Sequence, residues 1–208
     1  MTLNSQPIAQ VSEHRHLGVI IDDQLSWRAH IEDVSKTLCS NLFLMSKVRL
    51  FTEPPTRFLF YQAYIQPYLD YASTVWDGCA AVHFNKLDRL HRRAVKLISD
   101  EASLSTDEKM ASLYILPLKK SLSFNKGVFI WKILGSKVPG YLSNLFKKSE
   151  RNDTLVPPWP RLDICKNSLS YSGALLWNSL PPKTASAQSI STFKARLRKY
   201  LFASDPDG

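Results

Sequence analysis

Wound at about 100° per residue, residues 84–98, FNKLDRLHRRAVKLI, separate into two faces. Leu87, Leu90, Ala94 and Ile98 fall on one side; Arg89, Arg92, Arg93 and Lys96 fall on the other. The apolar stripe needs a core to lie on, and the cationic face must stay in solvent or meet an anion. Helical spacing recurs after Ser26, a suitable N-cap, where Ile31, Val34, Leu38, Leu42 and Met45 repeat every three or four residues and predict a helix to about Phe51. Pro54-Pro55 restarts the chain, and residues 56–65 predict an apolar helix buried on most sides, which Pro67 ends or kinks. Further helices are predicted from about 118 to 135, with Gly135 placed to take a left-handed C′ position, and over 171–180 and 190–202, with Pro181-Pro182 between the last two.

Strand signal is confined to the beginning. Residues 8–12 and 16–21 read as a short hairpin around a polar break at Glu13-His14-Arg15, and such a hairpin needs something to pack on. Opening the chain in this way, it suggests a cut edge. Residues 99–108 have the composition of a loop and mark a boundary between lobes. Residues 147–170, containing KKSERND and VPPWPR, read as an extended, proline-rich linker.

Hydrophobic residues make up 44% and charged residues 22%, which fits a folded chain. Twenty-seven Lys and Arg against eighteen Asp and Glu give a formal charge of +9, pointing to a polyanionic partner. The last helix repeats the basic theme, with Lys194, Arg196, Arg198 and Lys199 around a core stripe of Ile190, Phe193, Leu197 and Leu201. The beginning of the chain lacks signal-peptide character, and the richest apolar stretch is broken by Gln62, Gln66 and Pro67, so an intracellular protein, nuclear or cytoplasmic, with no membrane partner is expected. Cys39, Cys79 and Cys165 read as reduced thiols whose role is packing.

Catalytic patterns are thin. Asp22-Asp23 after an apolar strand invites comparison with metal-holding polymerase aspartates, yet only 21 residues precede it and Gln-Leu-Ser-Trp follows, so a polar turn leading into a helix is the better reading. Cys79, His83 and His91 match no compact zinc spacing, and neither a phosphate-binding glycine loop nor a nucleophile triad is legible. Among the tryptophans, Trp76, Trp131 and Trp177 read as core, while Trp159, flanked by prolines, is the best placed to stack on a base.

Several stretches converge on one family. His16-Leu17-Gly18-Val19-Ile20-Ile21-Asp22, with Leu25-Ser26-Trp27 and His30-Ile31, resembles the signature that follows the palm of LINE-like, non-LTR retrotransposon reverse transcriptases. Tyr64-Ile65-Gln66-Pro67-Tyr68-Leu69-Asp70-Tyr71-Ala72 with Val75-Trp76, and Leu87 through Arg92-Arg93-Ala94-Val95-Lys96-Leu97-Ile98, are similar to the next two segments of that family. Leu169-Ser170-Tyr171-Ser172-Gly173-Ala174, Leu176-Trp177-Asn178-Ser179-Leu180-Pro181 and Ser191-Thr192-Phe193-Lys194 resemble its ending.

The resemblance implies part of an RNA-directed DNA polymerase whose fingers and palm lie upstream of Met1. The expected fold is mainly α: a primer-grip-like hairpin over 1–25, a helical thumb-like bundle over 26–100, and a C-terminal helical extension over 101–208 with its linker near 147–170. Leu17 and Gly18 would place the primer end, and Arg89, Arg92, Arg93, Lys96, Lys194 and Arg198 would hold an RNA or DNA template-primer by its phosphates. No cofactor is expected in the chain itself, since Mg²⁺ belongs to the palm, and the rest of the polymerase is a second expected partner. With no catalytic aspartate motifs and no endonuclease legible, the chain is not expected to polymerise alone. A non-catalytic protein-interaction module or a decayed structural remnant stays open beside this reading.

Overall fold

In the computed structural model, which describes residues 2–3, 6–7, 10–149 and 154–204, the chain starts with two small antiparallel ladders. Strands β1 (Thr2–Leu3) and β2 (Gln6–Pro7) pair with each other, and β3 (Glu13–His16) pairs with β4 (Val19–Asp22) so that Glu13 faces Asp22 and His16 faces Val19. The expected hairpin is therefore present in a different register. Glu13-His14-Arg15 is strand, Leu17-Gly18 is the turn, and of the expected first strand, residues 8 and 9 lie outside the described residues while 10–12 are not strand. The alternation rule misses β3 because every residue of that strand is exposed. Leu17 and Gly18 both take positive φ, 46° and 83°, the mirror-image turn whose twist suits two right-handed strands.

Asp22 joins the hairpin to the first helix. Its carboxylate accepts the backbone N–H groups of Gln24, Ser26 and Trp27 at 3.1, 2.9 and 2.9 Å and the Ser26 hydroxyl at 3.2 Å. Desolvation opposes ionisation, but the hydrogen bonds from Ser26, Trp27 and Gln24 outweigh it and hold Asp22 below the usual carboxylate range. The cap position falls on Trp27, at φ 62°, rather than on Ser26, because Asp22 has already oriented the preceding amides. Helix α1 (Arg28–Val48) then buries Ile31, Val34, Leu38, Leu42 and Met45, the expected stripe, and a 3₁₀ turn (Arg49–Phe51) closes it.

Helix α2 (Pro54–Tyr64) starts on its proline pair and stops before α3 (Gln66–Asp70), whose first turn accommodates Pro67 because an N–H there would have no helical acceptor. It is not buried on most sides: Arg57 and Tyr61 face inward while Leu59 and Tyr64 are exposed, since its packing against α1, α3 and α5 leaves a solvent face. Helix α4 (Ser73–Trp76) carries the fully buried Trp76, whose indole N–H donates to the Tyr71 carbonyl at 3.0 Å. Helix α5 (Ala81–Ile98) buries Leu87, His91, Ala94, Val95 and Ile98.

The loop expected over 99–108 ends early. Helix α6 (Thr106–Ser112) begins in a capping box in which the Ser105 hydroxyl accepts the Glu108 N–H and the Glu108 carboxylate accepts the Ser105 N–H. Helix α7 (Leu118–Leu134) follows, and Gly135 keeps φ at −84°; the left-handed position falls one residue later, on Ser136 at φ 53°. After the four-residue helix α8 (Gly140–Ser143), short elements break up the expected linker: the two-residue strands β5 (Lys147–Lys148) and β6 (Leu155–Val156), paired with each other, and the four-residue helix α9 (Asp163–Lys166), while residues 150–153 lie outside the described residues. Order here comes from a distance, because the Asn178 side chain donates to the Leu155 carbonyl and accepts its N–H, both at 2.8 Å, as a neighbouring strand would. Helices α10 (Leu169–Ser179), α11 (Pro182–Ala185) and α12 (Ile190–Ala203) complete the fold.

The apolar residues gather into two cores. The first joins α1 through α6 around Leu38, Leu42, Trp76 and Leu87; the second joins α7, α10 and α12 around Ile130, Trp177 and Phe193. Helix α7 belongs to both, giving Leu118 and Leu122 to the first and Val128, Ile130, Trp131 and Ile133 to the second. At Gly127 an added Cβ would lie 2.9 Å from Leu197 Cδ2, so glycine sets how closely α12 approaches α7. Of the cysteines, Cys79 packs on the first core, but Cys39 and Cys165 are exposed thiols rather than packing residues, because both lie off the buried faces.

Arg57 holds the far end of the first core. Buried to 5% exposure, its guanidinium donates to the carbonyls of Thr52 at 2.8 Å, Arg49 at 3.0 Å and Ile98 at 3.4 Å, and pairs with Asp100 at 2.7 Å. It thereby caps the ends of the 3₁₀ turn and of α5 from α2. Arg57→Ala leaves three carbonyls without a donor and should lower unfolding stability by about 2–4 kcal/mol in urea titration. Arg57→Lys should recover little of this, because an ammonium cannot reproduce the fork. A loss below about 0.5 kcal/mol would refute the capping role.

Candidate nucleic-acid interface

The hairpin turn is held by Tyr71, which sequence reasoning did not single out. Its hydroxyl donates to the Leu17 carbonyl at 2.5 Å, and its ring lies 3.4 Å from where a Cβ on Gly18 would sit. Leu17 and Gly18 thus sit at a fixed, exposed tip on the side of α3.

On α5 the expected basic face is partly redistributed. Arg89, Arg93 and Lys96 are exposed; Arg89 donates from Nε to the Asn85 carbonyl of its own helix at 3.1 Å. Arg92 is turned aside by Asp107, to which it gives two parallel bonds of 2.9 Å each, and that pairing raises its already high pKa. Lys86 takes its place. Spaced three, four and three residues apart, Lys86, Arg89, Arg93 and Lys96 form one exposed row, about 15 Å long at 1.5 Å per residue, and none of them forms an ion pair among the described residues. The signal was available in the spacing of Lys86 to Arg89.

Lys194 and Arg198 are exposed on α12, which packs in the second core, whereas the α5 row rises from the first. Arg198 sits with its guanidinium carbon 5.1 Å from the Phe124 ring centroid. Trp159 is 92% exposed, while Trp76, Trp131 and Trp177 are core. No three His, Cys, Asp or Glu side chains come together among the described residues, and Asp22 is occupied by backbone amides, so Asp22-Asp23 does not fit a Mg²⁺ pair. No helix among the described residues is long and apolar enough to cross a membrane.

Beneath the α5 row, His91 meets the Tyr61 hydroxyl at 2.9 Å between its Nε2 and the oxygen. Burial, helped by the neighbouring charge of Arg92, pushes its pKa down to about 4, and burial pushes the Tyr61 phenol up. His91 is therefore neutral in the fold at pH 7, and in the unfolded chain it gains its proton near pH 6.5. Its contribution to stability is complete above pH 6.5 and is lost as pH falls toward 4, the unfolded chain binding the extra proton. At about 1.4 kcal/mol per unit, the loss reaches about 3 kcal/mol. Urea midpoints measured from pH 7 to pH 4 should fall less steeply for His91→Gln than for the unmodified chain; equal slopes would exclude a buried neutral His91.

A helical scaffold with an uncompensated cationic row is the class of protein that the fold and this face define. Over 104 residues, 48% of this chain, the sequence is 27% identical to an RNA-directed DNA polymerase from mobile element jockey of Drosophila funebris, and the match spans 11% of that protein's length. The chain is thus distantly related to a non-LTR retrotransposon RNA-directed DNA polymerase, of which it corresponds to a small part. No protein-family model and no solved structure matches the chain.

Proposed function

We propose that this chain is the thumb-like, nucleic-acid-holding part of a non-LTR reverse transcriptase, gripping a template-primer duplex by its phosphates. The row Lys86, Arg89, Arg93 and Lys96 carries the proposal: four unpaired cations on one face of a helix whose opposite face is core. Their mutual repulsion costs a few tenths of a kcal/mol per pair and would be relieved by a polyanion. Contacts of this kind fix a duplex without reading its sequence, which suits a polymerase that must accept any template. The fixed tip at Leu17 and Gly18 is proposed to lie against the primer end through its backbone, and Lys194 and Arg198 to add contacts from the second lobe. Intracellular function, in nucleus or cytoplasm, is part of the same proposal.

Titration of the chain with an RNA–DNA primer-template and with double-stranded DNA at two salt concentrations tests it. Reversing the four charges to Glu should abolish most of the affinity and reduce the logarithmic salt slope by about three to four. Arg92→Gln should leave affinity nearly unchanged, because Asp107 already holds that side chain. Unchanged binding after the fourfold reversal would remove α5 from the interface.

A second reading, a protein-interaction module, is favoured by one feature. Phe43, Leu50 and Phe51 are 64%, 74% and 87% exposed at the end of α1. Concentration-dependent self-association without affinity for nucleic acid would support it against the first.

A further inference from the structure

Between the two cores lies a small cavity of about 180 Å³, walled by α2 and α3 on one side and by α7 and α12 on the other. It is smaller than the roughly 300–1,000 Å³ of a pocket for a drug-sized ligand and has room for about one ring system. Its lining is mostly polar, which argues against an apolar ligand.

The polar groups are only partly matched. Asp70, at the back, accepts the amide nitrogens of Gln66 at 3.2 Å and Asn125 at 2.9 Å. Turning those nitrogens inward leaves the two amide oxygens as uncommitted acceptors. The amide of the exposed Gln62 and the hydroxyl of Ser121 also make no hydrogen bond within the chain among the described residues. Donors and acceptors thus converge on one narrow space; none of them is among the buried groups left without a partner, so they are open to water and free to bond a ligand that displaces it.

Around them stand aromatic surfaces. Phe124 lines the cavity under the Arg198 guanidinium, and Tyr114, exposed on the turn after α6, stands at its rim. Arg198 has no hydrogen bond within the chain among the described residues, leaving its five N–H donors free. Flat walls suit a π-system, mixed donors and acceptors suit the edge of a base, and a free guanidinium beside them suits the phosphate next to that base.

We propose that this cavity takes one unstacked nucleobase of a single-stranded segment adjoining the duplex, with Arg198 on its phosphate; the proposal rests on the nucleic-acid reading above. Gln62, with Gln66 and Asn125, reads the base edge, and Tyr114 covers its face.

The test places 2-aminopurine in a single-stranded overhang of an RNA–DNA hybrid and follows its fluorescence and the affinity of the 208-residue chain, with the blunt hybrid and free adenosine monophosphate as controls. The overhang should bind about tenfold more tightly than the blunt hybrid, the scale of one base–aromatic stack, and its probe should be quenched. Tyr114→Ala with Gln62→Leu, both at exposed positions, should remove that gain while leaving affinity for the blunt hybrid unchanged; Arg198→Gln should weaken it in part. Binding of the blunt hybrid with no gain from the overhang would overturn the base site while keeping the α5 interface. Binding of adenosine monophosphate without a gain from the overhang would overturn it as well, making the cavity a mononucleotide site. Unchanged hybrid binding on reversing the α5 charges, with the overhang gain also absent, would overturn both proposals separately.

Discussion

Everything in this molecule turns on α7 having no solvent side to spare. One helix supplies Leu118 and Leu122 to the first core and Val128, Ile130, Trp131 and Ile133 to the second, so neither core is complete without it. Polar pairs fix the same joint. Lys126 of α7 meets Asp77 at 2.7 Å with only 13% and 7% of the two side chains exposed, and also reaches the Ser172 hydroxyl at 2.9 Å; Asn125 reaches Asp70 and Ser73. Burial pushes Asp77 up in pKa, and Lys126 opposes the rise. A buried pair of this type adds little net stability compared with apolar packing, but removing either partner strands a charge, so it defines the relative placement of the helices around it.

That joint is also why the second core can be small. Trp131, Phe193 and Trp177 stack in sequence, with ring centroids 6.0 and 5.8 Å apart, and the Trp131 indole donates to the Ala187 carbonyl at 3.1 Å. Three large aromatic rings from α7, α10 and α12 bury much apolar area within few residues, each ring contributing on the order of a few kcal/mol. With both cores anchored inward, the outer faces of α5 and α12 are free to carry charge that takes no part in packing.

How far these features were legible follows from the range of the interactions behind them. The α1 and α5 stripes, the Trp76, Trp131 and Trp177 core positions and the two terminal helices are written in local spacing, and the structure keeps them. The α6 capping box was equally local, in Ser105 and Glu108, and was passed over because the surrounding polar composition resembled a loop. The hairpin tip, the order of residues 154–156 and the exposure of α2 depend on Tyr71, Asn178 and the neighbours of α2, none of them adjacent in sequence. Arg92 shows the same limit within one helix: its spacing allots it to the basic face, and Asp107, fifteen residues on, removes it.

By itself, then, the sequence determined a mainly helical chain with amphipathic stripes, an excess of positive charge and an ordered set of motifs, because helical periodicity and net charge are sums over neighbouring residues. Only the tertiary structure decided which cations stay free, where the hairpin turns, that α7 serves two cores, and that Gln62, Asn125 and Arg198 meet at one cavity. Those outcomes depend on which distant side chain arrives within hydrogen-bonding reach, and local patterns carry no record of that.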